Sequence, residues 1–249
     1  RWIMVVRENK YKCSNYVVAF IDVLGSCKKI LNFEEESLNI VHSSYEEAVK
    51  YMESIFDKKM LERNRPRVRI FSDNIIVFAP VINDDINIAF IDVLILTSMI
   101  QTEFLSKGYL VRGGIAYGTF FADDIMVWGK ALISAYNIEN KIAVFPRIVL
   151  DSSLEKNLEI KKYDNLLKKD TDECWFVDYL SSGFGLDNNT LFGIINSSCQ
   201  MIDIMIIEEN DNVSVLQKLN WHKNYLRVKM DKLIGIDKIS NILDLFQDN

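Results

Sequence analysis

Asp22 interrupts an otherwise apolar stretch, Tyr16 to Leu24 (YVVAFIDVL), and Asp73 sits in the short polar break of IFSDN between two β-rich runs. A charged group near the end of a buried strand is costly unless it is paired or meets a cation. Two carboxylates brought close together repel, and a cation between them removes the repulsion. Hard oxygen ligands of this kind suit Mg²⁺ or Mn²⁺. Two such ions, about 3.5–4 Å apart, can activate an attacking oxygen and stabilise a leaving one. Beyond Asp22, the turn Val23–Leu24–Gly25–Ser26–Cys27 leads toward a helix, and its backbone N–H groups form a candidate phosphate cradle. Each aspartate also has an ordinary reading: Asp in a tight turn is common turn chemistry. The pair in this order is the more specific signal.

The elements that must hold these residues follow from periodicity. Tyr16–Leu24 is rich in β-branched and aromatic residues and ends at Gly25, which predicts a buried strand. Ser26 can cap a short helix. Ser43–Leu61 carries apolar residues at helical spacing. Val68–Phe71 and Asn74–Ala79 read as a hairpin turning at Ser72–Asp73, beside the first strand. Asp85–Ser106 is predicted helical, with Gly108 as its stop. Strands are expected at Tyr109–Gly118, near Ile125–Trp128, at Arg147–Leu150 and at Cys174–Tyr179, with a helix over Lys130–Ala143. Leu191–Phe246 reads as helical pieces broken at Glu208–Asn212. This order predicts a single α/β sandwich, helices on a mixed sheet, with the C-terminal helices appended.

The hexapeptide AFIDVL occurs twice, at Ala19–Leu24 and Ala89–Leu94. The first copy follows two valines and stops at a glycine; the second lies within a long apolar run without a breaker. A strand is expected for the first and a helix for the second. The flanks do not match, so the repeat reads as coincidence.

Bulk properties narrow the function. With 249 residues, 49% of them hydrophobic, the chain can bury a substantial core. A net charge of −6 argues against broad nucleic-acid binding, which needs clustered Lys and Arg. Cys13, Cys27, Cys174 and Cys199 have neither zinc-site nor disulfide-framework spacing and read as reduced thiols. No secretory signal pattern opens the sequence, and the longest apolar run, Ile86–Ile100, contains Asp92, so a cytoplasmic protein without a membrane span is expected. His42 at a helix start and His222 in an amphipathic helix read as surface or packing residues. No Ser–His–Asp pattern is present.

Four segments in register resemble class III adenylate and guanylate cyclases. FIDVLGS resembles their first strand and turn, IFSDNIIVF their second-metal hairpin, VRGGIAYG their h-R-h-G-I-x-x-G strand, and MVWGKALISAYNIENKIA the segment that enters their catalytic helix. The match covers Tyr16–Leu150. RGGIAYG, GKALISAYNIEN and AVFPRIVLD look most like the bacterial Pycsar pyrimidine cyclases, soluble enzymes that make cyclic CMP or cyclic UMP during phage infection.

The resemblance implies a mixed, mostly antiparallel sheet in a ferredoxin-like, palm-type cyclase core over residues 1–190. A helical C-terminal extension, residues 191–249, would pack on the same domain. It implies Asp22 and Asp73 as ligands of two Mn²⁺ or Mg²⁺ ions, with the Val23 carbonyl a third ligand. Leu24, Gly25 and Ser26 would hold the triphosphate of a pyrimidine nucleoside triphosphate, CTP or UTP. Arg69 falls where purine cyclases read the base. Met126 falls where adenylate cyclases carry an aspartate that reads adenine, and Met cannot make that hydrogen bond. The helix positions that carry Asn and Arg in purine cyclases are Ile133 and Asn137. Arg112 is the candidate substitute for the missing arginine. Tyr136, Asn137 and Glu139 lie on the same helix as Ile133 and are candidates to line the site, Tyr136 reading best as core. A head-to-tail homodimer with two shared sites is implied, Arg112 or the Asn137 helix reaching the carboxylates of the other subunit. Two alternatives keep the same carboxylates: an inactive nucleotide-binding sensor, and a palm-type oligonucleotide cyclase. A third is an interaction module built on the C-terminal helices.

Overall fold

The computed structural model describes residues 11–32, 34–55, 66–181, 187–209 and 211–247. Eight strands form one sheet: β1 (Ser14–Val23), β2 (Arg67–Phe71), β3 (Asn74–Pro80), β4 (Val111–Ala122), β5 (Val127–Gly129), β6 (Ile148–Leu150), β7 (Leu167–Lys169) and β8 (Trp175–Val177). The strand order is β2-β3-β1-β4-β6-β8-β7, with β5 also paired to β4. Only β4–β6 is parallel among these pairs. The first four strands have the order and directions of a split β-α-β unit, the ferredoxin-like arrangement.

Seven helices lie among the described residues: α1 (Ser26–Asn32), α2 (Glu34–Ile55), α3 (Ile86–Ser106), α4 (Lys130–Lys141), α5 (Ser152–Asn157), α6 (Asn188–Glu208) and α7 (Val213–Gln247). Alternation along β1 decides which face each side chain meets. Val17, Ala19, Ile21 and Val23 join the main core with α3, whose Phe90, Leu94, Ile100 and Phe104 are fully buried. Burial of each such side chain contributes about 1.5–3 kcal/mol. Val18, with Phe78 and Phe120, forms a smaller cluster on the opposite face, covered by α4 through Ala131. A Cβ added to Gly114 would lie 2.5 Å from the Ala135 carbonyl oxygen and 2.6 Å from Ile138. The second glycine of VRGGIAYG therefore lets α4 rest on the sheet.

The two AFIDVL copies adopt a strand in β1 and a helix in α3. α2 starts well before Ser43, so His42 sits inside it, exposed, 3.7 Å from Glu46. Residues 56–61 of the expected helix lie outside the described residues. β7 and α5 carry too little apolar pattern to be read from sequence; Asp151 caps α5 by accepting from the Ser153 N–H at 2.7 Å.

The C-terminal helices join the core through a buried polar network. Tyr179 Oη lies 3.0 Å from His222 Nε2, Tyr225 OH donates to Asp178 Oδ1 at 2.7 Å, and Lys229 Nζ donates to Asp178 Oδ2 at 2.5 Å. Burial lowers His222 to about 4, so it is neutral near pH 7. α3 and α6 are both long and apolar enough to cross a membrane, contrary to the expectation for the α3 segment. The span of α3 is 72% buried inside the fold, whereas that of α6 is 22% buried.

Candidate active site

Asp22 is directly opposite Asn74 on β3 and Arg112 on β4. Asp73 lies one residue beyond Asn74, in the turn whose Ser72 adopts φ 56°. The Val23 N–H donates to the Asp73 carbonyl at 3.3 Å, which ties the hairpin turn to the end of β1. The Ser26 hydroxyl donates to the Asp73 carboxylate, and Asn74 Nδ2 donates to its other oxygen at 3.2 Å. Asp22, Val23, Ser26, Asp73 and Arg112 thus meet at one end of the sheet.

Burial is the largest influence on the Asp22 carboxyl and raises it above its ordinary value. The hydrogen bond and charge of Arg112 pull it down, the Asp73 carboxylate pushes it up, and the Lys218 charge lowers it slightly. Asp73 is therefore near enough for like-charge repulsion, the situation that a dication relieves. Arg112 Nε lies 3.3 Å from Asp22 Oδ2, and Arg112 Nη2 lies 2.6 Å from Glu139 Oε1 on α4. Glu139 is raised chiefly by burial, with Arg112 lowering it and Asp22 raising it.

Three expectations need correction. Arg112 contacts Asp22 within one chain, because the β1–β4 ladder sets them opposite each other; it does not reach that carboxylate from a partner. The Val23–Cys27 turn offers fewer free donors than expected: the Val23 N–H is bound to Asp73 and the Leu24 N–H to the Leu110 carbonyl at 2.8 Å. Gly25, at φ 72°, makes the turn, and Ser26 is turned toward Asp73. Tyr136 is not core: it is exposed on α4, edge-on to Phe20 with ring centroids 5.4 Å apart.

Arg69 projects into a groove of about 610 Å³ beside the carboxylates, lined also by Phe20, Asn74, Ile76, Met126 and Tyr136. Its guanidinium donates to the Asp123 carbonyl at 3.1 Å and lies 3.7 Å from Asp124. Asn137 is half-buried on α4. Sequence reasoning missed Phe20 and Lys218. Phe20 was within reach, since a residue two before Asp22 on a strand shares its face. Lys218, on α7, had no local signal.

Among the described residues no cluster of three or more His, Cys, Asp or Glu could hold a metal ion. A Mg²⁺-type site does not need one: Mg²⁺ is usually held by one or two carboxylates, with waters and substrate phosphates completing its shell. The mutually repelling Asp22 and Asp73 fit that donor set. No protein-family model matches the chain, and no curated protein matches it.

Proposed function

We propose that the chain is a class III-type nucleotide cyclase that converts a pyrimidine nucleoside triphosphate, CTP or UTP, to the 3′,5′-cyclic monophosphate and pyrophosphate. The observation that carries this reading is the meeting of Asp22 and Asp73 at one sheet end, with Arg112 against Asp22 and an aromatic-walled groove alongside. The ribose 3′-hydroxyl releases its proton to solvent and its oxygen forms a bond to the α-phosphorus, while the bond from that phosphorus to the bridging oxygen breaks and pyrophosphate carries the electron pair away. No protein nucleophile is needed.

Asp22 and Asp73, with the Val23 carbonyl, would hold two Mn²⁺ or Mg²⁺ ions. Such ions, when bound, lower the pKa of the 3′-hydroxyl and neutralise the triphosphate. Arg112 is permanently charged and presents a planar fork of donors to phosphate. Its position beside Asp22 suits the departing pyrophosphate, and the Gly25–Ser26 turn alongside would hold the rest of the triphosphate. Phe20 and Tyr136 offer apolar walls to the sugar and base, and Arg69, Met126 and Asn137 flank them. Holding the 3′-oxygen and phosphorus in line supplies most of the remaining rate enhancement.

Phe71, Ile125 and Met126 are large and exposed along this groove. Apolar side chains gathered in this way mark an association surface, which supports the head-to-tail homodimer. The resemblance to Pycsar cyclases supports a cytoplasmic enzyme whose product is a second messenger of bacterial antiphage defence. A non-turning nucleotide sensor is the second reading, favoured by one observation: Ile133, 60% exposed one turn before Tyr136, occupies a position where purine cyclases carry a polar side chain.

Incubation of the purified protein with each of the four nucleoside triphosphates and Mn²⁺, followed by mass analysis, tests the reading. A cyclic CMP or cyclic UMP mass supports it. A linked dinucleotide identifies an oligonucleotide cyclase, and nucleotide binding without product identifies the sensor.

A further inference from the structure

Arg112 has two carboxylate partners that differ in access. Nε lies 3.3 Å from Asp22 Oδ2, and Nη2 lies 2.6 Å from Glu139 Oε1. The Asp22 side chain keeps 21% of its surface exposed, the Glu139 side chain 5%. An ion arriving from solvent can therefore reach Asp22, while Glu139 is shielded under α4. A buried carboxylate needs a partner, and the partner nearest Glu139 is Arg112. If a dication takes Asp22, the guanidinium loses one carboxylate and keeps the other.

We propose that Glu139 is a positioning residue that retains Arg112 when a divalent cation displaces it from Asp22. The arginine then changes from counter-ion of an empty site to phosphate ligand of a filled one. This rests on the cyclase reading of the site and adds a regulatory step to it: in the empty protein Arg112 stands where the metal's charge will act. The two cations compete for Asp22, and Glu139 sets the terms by giving the arginine an alternative anion. The coupling is reciprocal: by whatever factor a dication at Asp22 strengthens the Arg112–Glu139 pair, that pair strengthens the binding of the dication.

The test measures Mn²⁺ affinity directly, from the spin-resonance signal of free Mn²⁺, on the full chain without nucleotide. Arg112→Gln removes the competitor and is expected to bind Mn²⁺ about tenfold more tightly than wild type. Glu139→Gln leaves Arg112 with Asp22 alone and is expected to bind about tenfold more weakly. In the double variant the Glu139→Gln effect should vanish, giving the affinity of Arg112→Gln within about twofold. A Glu139→Gln effect of equal size in both backgrounds would mean that Glu139 acts on the ion by its own charge, and would overturn the inference. Should Glu139→Gln not fold, Arg112→Gln alone decides: unchanged or weaker Mn²⁺ binding overturns the inference. Wild-type protein that binds no Mn²⁺ overturns the cyclase reading and this inference together. Wild-type binding with no coupling overturns this inference alone.

Discussion

Arg112 Nε and Asp22 Oδ2 stand 3.3 Å apart on directly opposed positions of β4 and β1, joining residues 90 apart in sequence. Each side chain keeps about a fifth of its surface exposed, so the pair contributes little to stability, about 1 kcal/mol or less. Its value lies in placing a fixed positive charge beside the carboxylates. Arg112→Ala is expected to lower kcat by about 10²–10³-fold, the loss typical of one charge-stabilising donor, and to lower the melting temperature as well, because it strands the buried Glu139. Steady-state kinetics beside a thermal melt separate this from misfolding.

Asp178 and Lys229 are the opposite case. Both are buried, and Tyr225 holds the same aspartate. Removing one partner strands the other, so Asp178→Leu or Lys229→Met is expected to cost about 3–5 kcal/mol. The double variant replaces both charges by apolar groups and is expected to recover most of that loss. Urea unfolding of the three variants checks this; a double variant worse than either single one would contradict it.

Burial raises the Asp92 carboxyl on α3 from 3.8 to about 6. The folded state thus holds this proton more tightly than the unfolded chain. Below about pH 4 the group is protonated in both states and costs nothing. Stability is lost as pH rises from there to about 6, and the loss is complete above it. Asp92→Asn is expected to gain about 1 kcal/mol at neutral pH, after allowance for solvent screening of a half-buried group. That corresponds to a rise of about 2–4 °C in Tm. The gain should disappear near pH 4. An equal gain at both pH values would point to packing instead.

The exposed rim of the groove gives a prediction about assembly. Phe71 is 77% and Ile125 91% exposed. Phe71→Asp is expected to shift the protein toward monomer in sedimentation velocity and to reduce turnover in parallel. A wild-type protein that is monomeric at all concentrations would contradict the head-to-tail dimer.

The sequence made the frame and the two aspartates legible for the same reason: both are local patterns. β1 alternates, IFSDN announces a hairpin, and flanking residues sort the two AFIDVL copies into a strand and a helix. The second glycine of VRGGIAYG reads as a family motif before its physical role, the close approach of Ala135 and Ile138, is visible. What stayed hidden depends on register. Nothing local says that Asp22 faces Arg112, that Leu24 donates to Leu110, or that Glu139 reaches back to β4. The carboxylate–arginine–carboxylate cluster arises only when β1 and β4 pair and α4 settles over Gly114. Tyr136 was misjudged for a related reason: helical periodicity places it on a face, but the sheet under that face ends at an open groove.

The most direct measurement compares wild type with Asp73→Asn, both shown folded by circular dichroism, in reactions with CTP or UTP and Mn²⁺ analysed by mass spectrometry. The expected result is a cyclic pyrimidine monophosphate and equimolar pyrophosphate from wild type. Asp73→Asn should show a loss of roughly a hundredfold or more. Cyclic product formed by Asp73→Asn at the wild-type rate, or none from wild type with any nucleoside triphosphate, would contradict a chemistry carried by Asp22 and Asp73.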